Sequence, residues 1–563
     1  MSVSPSSSSD SAHKRPSADE SFPEKPHDTL SDAGYEAELQ AAAPLLRGRK
    51  LTAALAFVAG TGFTLFGYDQ GVMSALLSAQ QFEKVFPQVV TGPGEPADHA
   101  TLQSFVVAIY EIGCLVGALS TLWLGDRLGR RKTIALGGVI MIVGAILQTT
   151  SFSYAQMVVA RIITGLGNGL NTSTVPAYHA ECSPASSRGS FIMLEGSLIT
   201  FGIMVSYWID FALFWAKGSS AQWRVPIALQ ILFAVILIVG IYFLPESPRW
   251  LAREGRETES LAVICALEDR PHDDPAVQRT FHGIREAIAV EASAGTGRSA
   301  LREIFTGGPA QNFRRAALGV VIQCFQQITG INLITYYATL LFERLGIDDT
   351  KSRIIAACNG TEYFLASLLA IALIDRVGRR RLMFFGAAGQ TLTMVVLAVL
   401  GAVDTAAAQL ASAVLLFVFN SFFAVGWLGM TWLYPAEIVG LRIRAPANAF
   451  STASNWIFNF VVVMVTGPSF NNISWRTYIV FAALNAFIIP VVYFCFPETA
   501  GRSLEDMDVV FALAHREGVS PVGVSLRADV PSAGTPEADA ILGVALRRRT
   551  HAREEREERE KEV

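Results

Sequence analysis

Apolar residues run along this chain in long blocks rather than in alternation. Spanning about 30 Å of hydrocarbon takes roughly 20 residues of helix. Blocks of that length lie near 51–77, 102–124, 133–151, 155–180, 189–214 and 223–244. After a hydrophilic interruption at 245–313, six more lie near 314–342, 352–374, 381–402, 408–436, 446–467 and 474–496. The pattern predicts an all-α integral membrane protein with about twelve spanning helices in two six-helix bundles. Its parts are an N-terminal tail (1–46), a first bundle (47–244), a linker (245–313), a second bundle (314–496) and a C-terminal tail (497–563). The first tail is rich in Ser, Pro and acidic residues, which predicts disorder. The linker stretch "ESPRWLAREGRETESLAVICALE" has apolar residues at helical spacing among charges, which predicts short helices. The final "RRRTHAREEREEREKEV" reads as a solvated helix or a disordered tail.

Composition agrees with many spans: of 563 residues, 51% are hydrophobic and only 17% charged, with mean hydropathy +0.37. A formal net charge of -4 gives no reason to expect nucleic acid as a partner. The six cysteines show no metal spacing, so reduced thiols are expected rather than a disulfide framework. No nucleophile–base pairing, metal-ligand spacing or phosphate loop is present to suggest an enzyme, a metal or a cofactor.

The loops carry an asymmetry and a repeat. Arg47, Arg49 and Lys50 precede the first block, Arg127, Arg130, Arg131 and Lys132 follow the second, and Arg376, Arg379, Arg380 and Arg381 follow the eighth, whereas the alternate loops 78–101 and 400–410 are poor in base. By the positive-inside rule both termini and the linker are cytoplasmic. "GDRLGRRK" after the second block returns as "IDRVGRRR" after the eighth, and Glu181 precedes Arg188 by the same seven residues that separate Glu437 from Arg444. Two six-helix halves with the same charged clusters at the same ends describe a duplicated transporter. Asp126, Arg130, Glu181 and Arg188, with Asp375, Arg379, Glu437 and Arg444, are expected to pair between helix ends and hold the inner side of the halves shut.

Asp69 lies inside the first block, where a carboxylate is costly unless paired. At 1.5 Å per residue it sits on the order of 12 Å below the outer end of its helix, and Arg161 about 9 Å below the same surface. The two can meet, each supplying the charge the other needs. Glu111, Glu195, Asp210 and Glu362 are the other acids within spans; Glu195 and Asp210 sit near helix ends, and Glu111 and Glu362 have no evident partner.

"DRLGRR", "RIITGLGNG", "PESPRW", "QQITGIN" and "PETAGRSLEDMD" fall in the order and spacing of the sugar porter family of the major facilitator superfamily, and residues 50 to 510 resemble it throughout. "FGYDQGVMS", "NTSTVPAY", "NGTEYFLAS" and "GWLGMTWLYPAE" are similar to a fungal branch that includes proton-coupled sugar and glycerol transporters. The resemblance implies a midplane sugar site between two bundles, open alternately to each side, in a multi-pass protein of the plasma membrane, functional as a monomer. Gln326, Gln327 and Asn332 align with the family's sugar-binding amides; an amide matches sugar hydroxyls because both donate and accept. Trp432, Asn455 and Trp456 align with the remaining contacts, Phe66 with an aromatic neighbour of the site, and Tyr336 and Tyr337 with the outer gate. The family's proton symporters carry an Asp at the place of Asp69, which makes Asp69 and Arg161 the expected proton-coupling pair.

Two positions depart from the family pattern. Gly196 stands where a binding glutamine is usual, and Tyr363 where an asparagine often is. The first would enlarge the pocket and the second shrink it. The substrate therefore reads as a sugar (hexose or disaccharide) imported with protons, with glycerol or another polyol as the alternative. Facilitated diffusion without protons and a non-transporting sugar sensor are the remaining readings; such sensors usually have a longer cytoplasmic tail than residues 497–563.

Overall fold

The computed structural model describes residues 32–543 apart from 93, 184–187 and 294–297. Among the described residues, eleven helices are long and apolar enough to cross a membrane. The first half contains α1 (Gly48–Leu76), α2 (His99–Gly125), α3 (Arg127–Thr149), α4 (Tyr154–Glu181), α5 (Arg188–Leu213) and α6 (Ala221–Phe243). The second contains α7 (Asn312–Arg344), α8 (Asp349–Val377), α9 (Arg379–Val403), α10 (Ala406–Ile438), α11 (Arg444–Ile473) and α12 (Arg476–Cys495). Helix α4 is the twelfth and falls short on apolarity alone, because Arg161, Thr164, Asn168 and Asn171 point into the bundle and are buried.

Small residues set the spacing within the first half. A Cβ added at Gly113 would lie 2.4 Å from the Ile162 carbonyl of α4, and one at Gly165 would lie 2.2 Å from that of Tyr110 on α2. Helices α1 and α5 meet in the same way: a Cβ at Gly67 would lie 1.9 Å from the Ile199 carbonyl, and one at Gly202 would lie 2.1 Å from that of Thr64. Between helices in lipid there is little hydrophobic drive, so close backbone approach supplies the contact. The two halves meet along α2 against α11 and along α5 against α8, with the end of α7 against α1.

Two helices of the second half are irregular where they face the interior. Helix α7 breaks at Gly330 (φ +92), where the Phe481 ring leaves no room for a Cβ (2.8 Å), and restarts at Ile331. Helix α10 contains a π turn at Ala424–Leu428, a device often found at functional sites. Freed backbone at that depth is tolerated only when something bonds it. Asn485 donates to the Thr329 carbonyl at 2.9 Å, and Gln326 to those of Trp427 and Leu428 at 3.4 and 3.3 Å.

The linker forms the short helices expected of it: Pro248–Arg253, Glu257–Glu268, Pro275–Ser293 and Arg298–Ile304. Leu261, Ile264, Val277 and Phe281 make a small core of their own. Leu39 packs against it from a helix, Asp32–Ala41, inside the tail expected to be disordered. Apolar contact outweighs composition at that point. After α12, a helix at Leu504–Glu517 starts on a Ser503–Asp506 capping box and docks through an Arg315–Asp508 ion pair of 2.5 Å. The closing charge run lies outside the described residues.

Candidate functional site

The arginine-rich end is built twice. The chain turns sharply at Gly129 (φ +81), in the first residues of α3, and at Gly378 (φ +95) between α8 and α9. A Cβ at either glycine would strike a carboxylate, 2.7 Å from Glu246 or 2.9 Å from Glu498. Those carboxylates cap the helices that follow. Glu246 accepts from the backbone N–H of Arg130 (3.0 Å) and Arg131, and Glu498 from those of Arg379 (2.9 Å) and Arg380 (3.1 Å). A carboxylate at a helix N-terminus satisfies orphan donors and meets the positive end of the helix dipole. Burial nonetheless pushes the Glu246 carboxyl above its ordinary range, against the pull of the Ser247, Arg131 and Arg130 N–H groups. Glu246 and Glu498 come from "PES" and "PET", a repeat that aligns with the arginine motifs and that sequence reading had left without a role.

The guanidinium groups reach neighbouring helix ends. Arg130 pairs with Glu181 at 2.8 Å, and Arg379 with Glu437 at 2.8 Å. Both pairs close within one half of the molecule, Arg130–Glu181 in the first and Arg379–Glu437 in the second. They fasten α3 to α4, and α9 to α10, at the ends of neighbouring helices. The side chains of Asp126, Arg188 and Asp375 lie outside the described residues, and Arg444 is half-buried at the start of α11. Removing Arg379 would strand the Glu437 carboxylate beside Thr499. Arg379→Ala is therefore expected to cost about 3 kcal/mol of stability, and Arg379→Ala with Glu437→Gln to regain most of it in thermal unfolding. A loss below about 1 kcal/mol for the single variant would mean that water already screens the pair.

Two of the interior's polar groups contain the predicted site residues. In the first half, Asp69 and Arg161 lie 3.4 Å apart and are both fully buried. Arg161 also donates to the Val106 and Val107 carbonyls at 3.3 and 3.1 Å, and its guanidinium lies 4.5 Å above the Tyr110 ring. The depth estimate thus brings together the two residues it selected. In the second half an amide cluster closes on itself. Asn332 donates to Gln327 and, at 2.5 Å, to Asn459; Gln327 donates to Gln326 at 3.2 Å; Asn455 donates to Gln323 at 2.6 Å and Gln326 at 3.0 Å. Gln326, Gln327, Asn332 and Asn455 are all buried. Gln323 and Asn459 belong to the cluster and were missed, although each stands one turn from a predicted member (Gln326 and Asn455).

The aromatic positions divide. Phe66 of α1 meets Trp456 of α11 edge to face, with centroids 5.5 Å apart, so this contact crosses between the halves. Trp432 is only half-buried on α10, and it is the backbone of Trp427 that reaches Gln326. Tyr336 donates to Glu111 of α2, and Tyr337 lies 3.1 Å from Ser104 Oγ and 3.3 Å from the Val463 carbonyl. On the same side Arg353 donates to the Ala75 and Ser78 carbonyls at 2.8 and 3.0 Å. The end opposite the arginine clusters is therefore closed by bonds between halves. Of the acids without an evident partner, Glu111 has Tyr336 and Glu362 has Ser421. Glu195 pairs with His179 at 2.6 Å.

A duplicated twelve-helix bundle with a polar interior between its halves defines a multi-pass membrane transporter, not an enzyme. Residues 55–511 match the family described as "Sugar (and other) transporter". The yeast Saccharomyces cerevisiae "Sugar transporter STL1" is 39% identical over 84% of this chain and 84% of its own. The "MFS-type transporter oryC" of Aspergillus oryzae is 40% identical over 82% and 86%. Among solved structures, a proton:xylose symporter XylE bound to 6-bromo-6-deoxy-D-glucose superposes with a TM-score of 0.70, covering 82% of this chain and 99% of that one at 24% identity. At that identity the superposition speaks for the fold. The chain belongs to the sugar porter family of the major facilitator superfamily.

Proposed function

We propose that this protein imports a small sugar or polyol together with protons across the plasma membrane by alternating access, with both termini cytoplasmic. The observation that carries the reading is the Asp69–Arg161 pair, fully buried in the half that faces the amide cluster. A buried ion pair is a poor source of stability, but a carboxyl beside one guanidinium can exchange its proton as the surroundings change. The names of the relatives, a sugar transporter and a proton:xylose symporter, agree with it.

The two positions that depart from the family pattern argue for a compact substrate. At Gly196 an added Cβ would meet Leu428 Cγ and Gly429 Cα at 3.6 and 3.7 Å, ordinary contact distances, so the glycine opens room for a methyl group and little beyond it. Tyr363 is buried beside Phe423, with centroids 6.2 Å apart. A monosaccharide or glycerol fits this better than a disaccharide. Hydroxyls of that substrate would replace the bonds the amides now make to one another, a near-even exchange that suits rapid release.

A competition panel of hexoses, pentoses, sucrose and glycerol, run in cells lacking their own carriers, tests the reading. A membrane potential of about 100 mV supports on the order of 50-fold accumulation of a neutral substrate moving with one proton. Uptake should exceed equilibrium, collapse with an uncoupler, and resist sucrose. Uptake that levels at the outside concentration with or without uncoupler would make the protein a facilitator, and no uptake of any probe would make it a sensor.

A further inference from the structure

We propose that Glu111 is a second proton-holding carboxyl, shared with Asp69, and that its bond to Tyr336 transmits substrate occupancy from the amide cluster to the proton site. The inference rests on the proton-coupled reading above. Glu111 is fully buried on α2. One carboxyl oxygen accepts from Tyr336, and the other has no hydrogen-bond partner among the described residues. A buried carboxylate so sparsely bonded is expensive to keep charged.

The groups that face it account for its charge. Arg161 and Asp69 approach from α4 and α1, Tyr336 and Asn459 from the second half, and Tyr110 and Cys114 from its own helix. Two carboxyls therefore lie near one guanidinium, which bonds Asp69 at 3.4 Å and gives two further N–H groups to the Val106 and Val107 carbonyls. With both acids ionised the cluster carries one net negative charge; with one proton bound to either it is neutral. Neutrality in a closed, water-poor interior thus calls for a single proton.

The link to substrate runs along the second part of α7. Asn332, which donates to Gln327 and Asn459, and Tyr336, which donates to Glu111, stand one turn apart on the segment Ile331–Arg344 that restarts after Gly330. A hydroxyl that takes over Asn332 holds this segment in place, and with it the Tyr336–Glu111 bond across the halves. Opening on the outer side must break that bond. The carboxyl then meets water and exchanges its proton there: the O–H bond breaks and the proton passes to water, or the reverse on loading.

Full-length protein in liposomes with an imposed pH gradient tests the proposal, using labelled glucose and, in parallel, labelled glycerol as probes. For Glu111→Gln, accumulation is expected to fall from tens-fold to about equality. Exchange of labelled for unlabelled probe without a gradient should stay within about twofold of wild type, since Gln can still accept from Tyr336. Glu111→Asp, which keeps a titrating group, should retain part of the accumulation. Accumulation by Glu111→Gln at the wild-type level overturns the proposal. So does loss of exchange along with accumulation, which would assign Glu111 a purely structural role. If wild type exchanges probe but never accumulates it, the coupled reading itself fails, and this one with it.

Discussion

Asp69→Asn is expected to abolish accumulation against a gradient while leaving exchange close to wild type. Asn has nearly the shape of Asp, so the packing around the fully buried Asp69 survives, and its carbonyl can still accept from Arg161. What it removes is the titrating group. With Asp69 neutral, Arg161 and Glu111 balance each other and the cluster needs no proton to close, so the carrier turns without one. The drop from tens-fold accumulation to about equality is read in the same liposome assay, and the uncoupler should then have no effect on the variant. Wild-type accumulation by Asp69→Asn would reduce the pair to a static element of the fold.

Arg161→Met carries the second large effect, this time on stability. It leaves Asp69 and Glu111 as two buried acids with no cation and strips the Val106 and Val107 carbonyls of their donor. Breaking a buried pair by removing one partner costs about 3–5 kcal/mol, enough to deplete the folded protein from the membrane. Combining it with Asp69→Asn should recover about 2 kcal/mol, the coupling expected of residues in direct contact. Thermal unfolding of the purified variants measures both. Independent, additive losses would show that the two side chains do not share charge.

These two expectations also show how far sequence reading went. Asp69 and Arg161 were paired by counting residues, because a spanning helix rises a fixed 1.5 Å per residue and depth is then linear in sequence. The same regularity made the spans visible, α4 included, although its inward polar face takes it below the apolarity of the other eleven. The duplication was legible in motif spacing, and Gly129 and Gly378 realise it as matching turns.

Contacts across helices were not legible in that way. Arg130 and Glu181 are legible as a cluster, but that each pair closes within one half is not, since spacing along the chain does not say which neighbouring helix an arginine will reach. Glu111 lacked a partner in the sequence because Tyr336 stands in the other half, 225 residues away. Gly196 and Tyr363 pull the substrate size in opposite directions in the sequence, and only packing shows that Leu428 and Gly429 of α10 face Gly196 across the halves.

The sequence by itself determined the membrane class, the twelve helices, their duplication and the depth of the charged residues. All of these follow from apolar run length and the fixed rise of a helix, which are properties of one segment at a time. Tertiary structure alone decided which buried polar groups lie together, which amides satisfy one another and which bonds cross between the halves. Those depend on packing two bundles face to face, where a hydrogen bond a few ångströms long joins residues far apart in sequence.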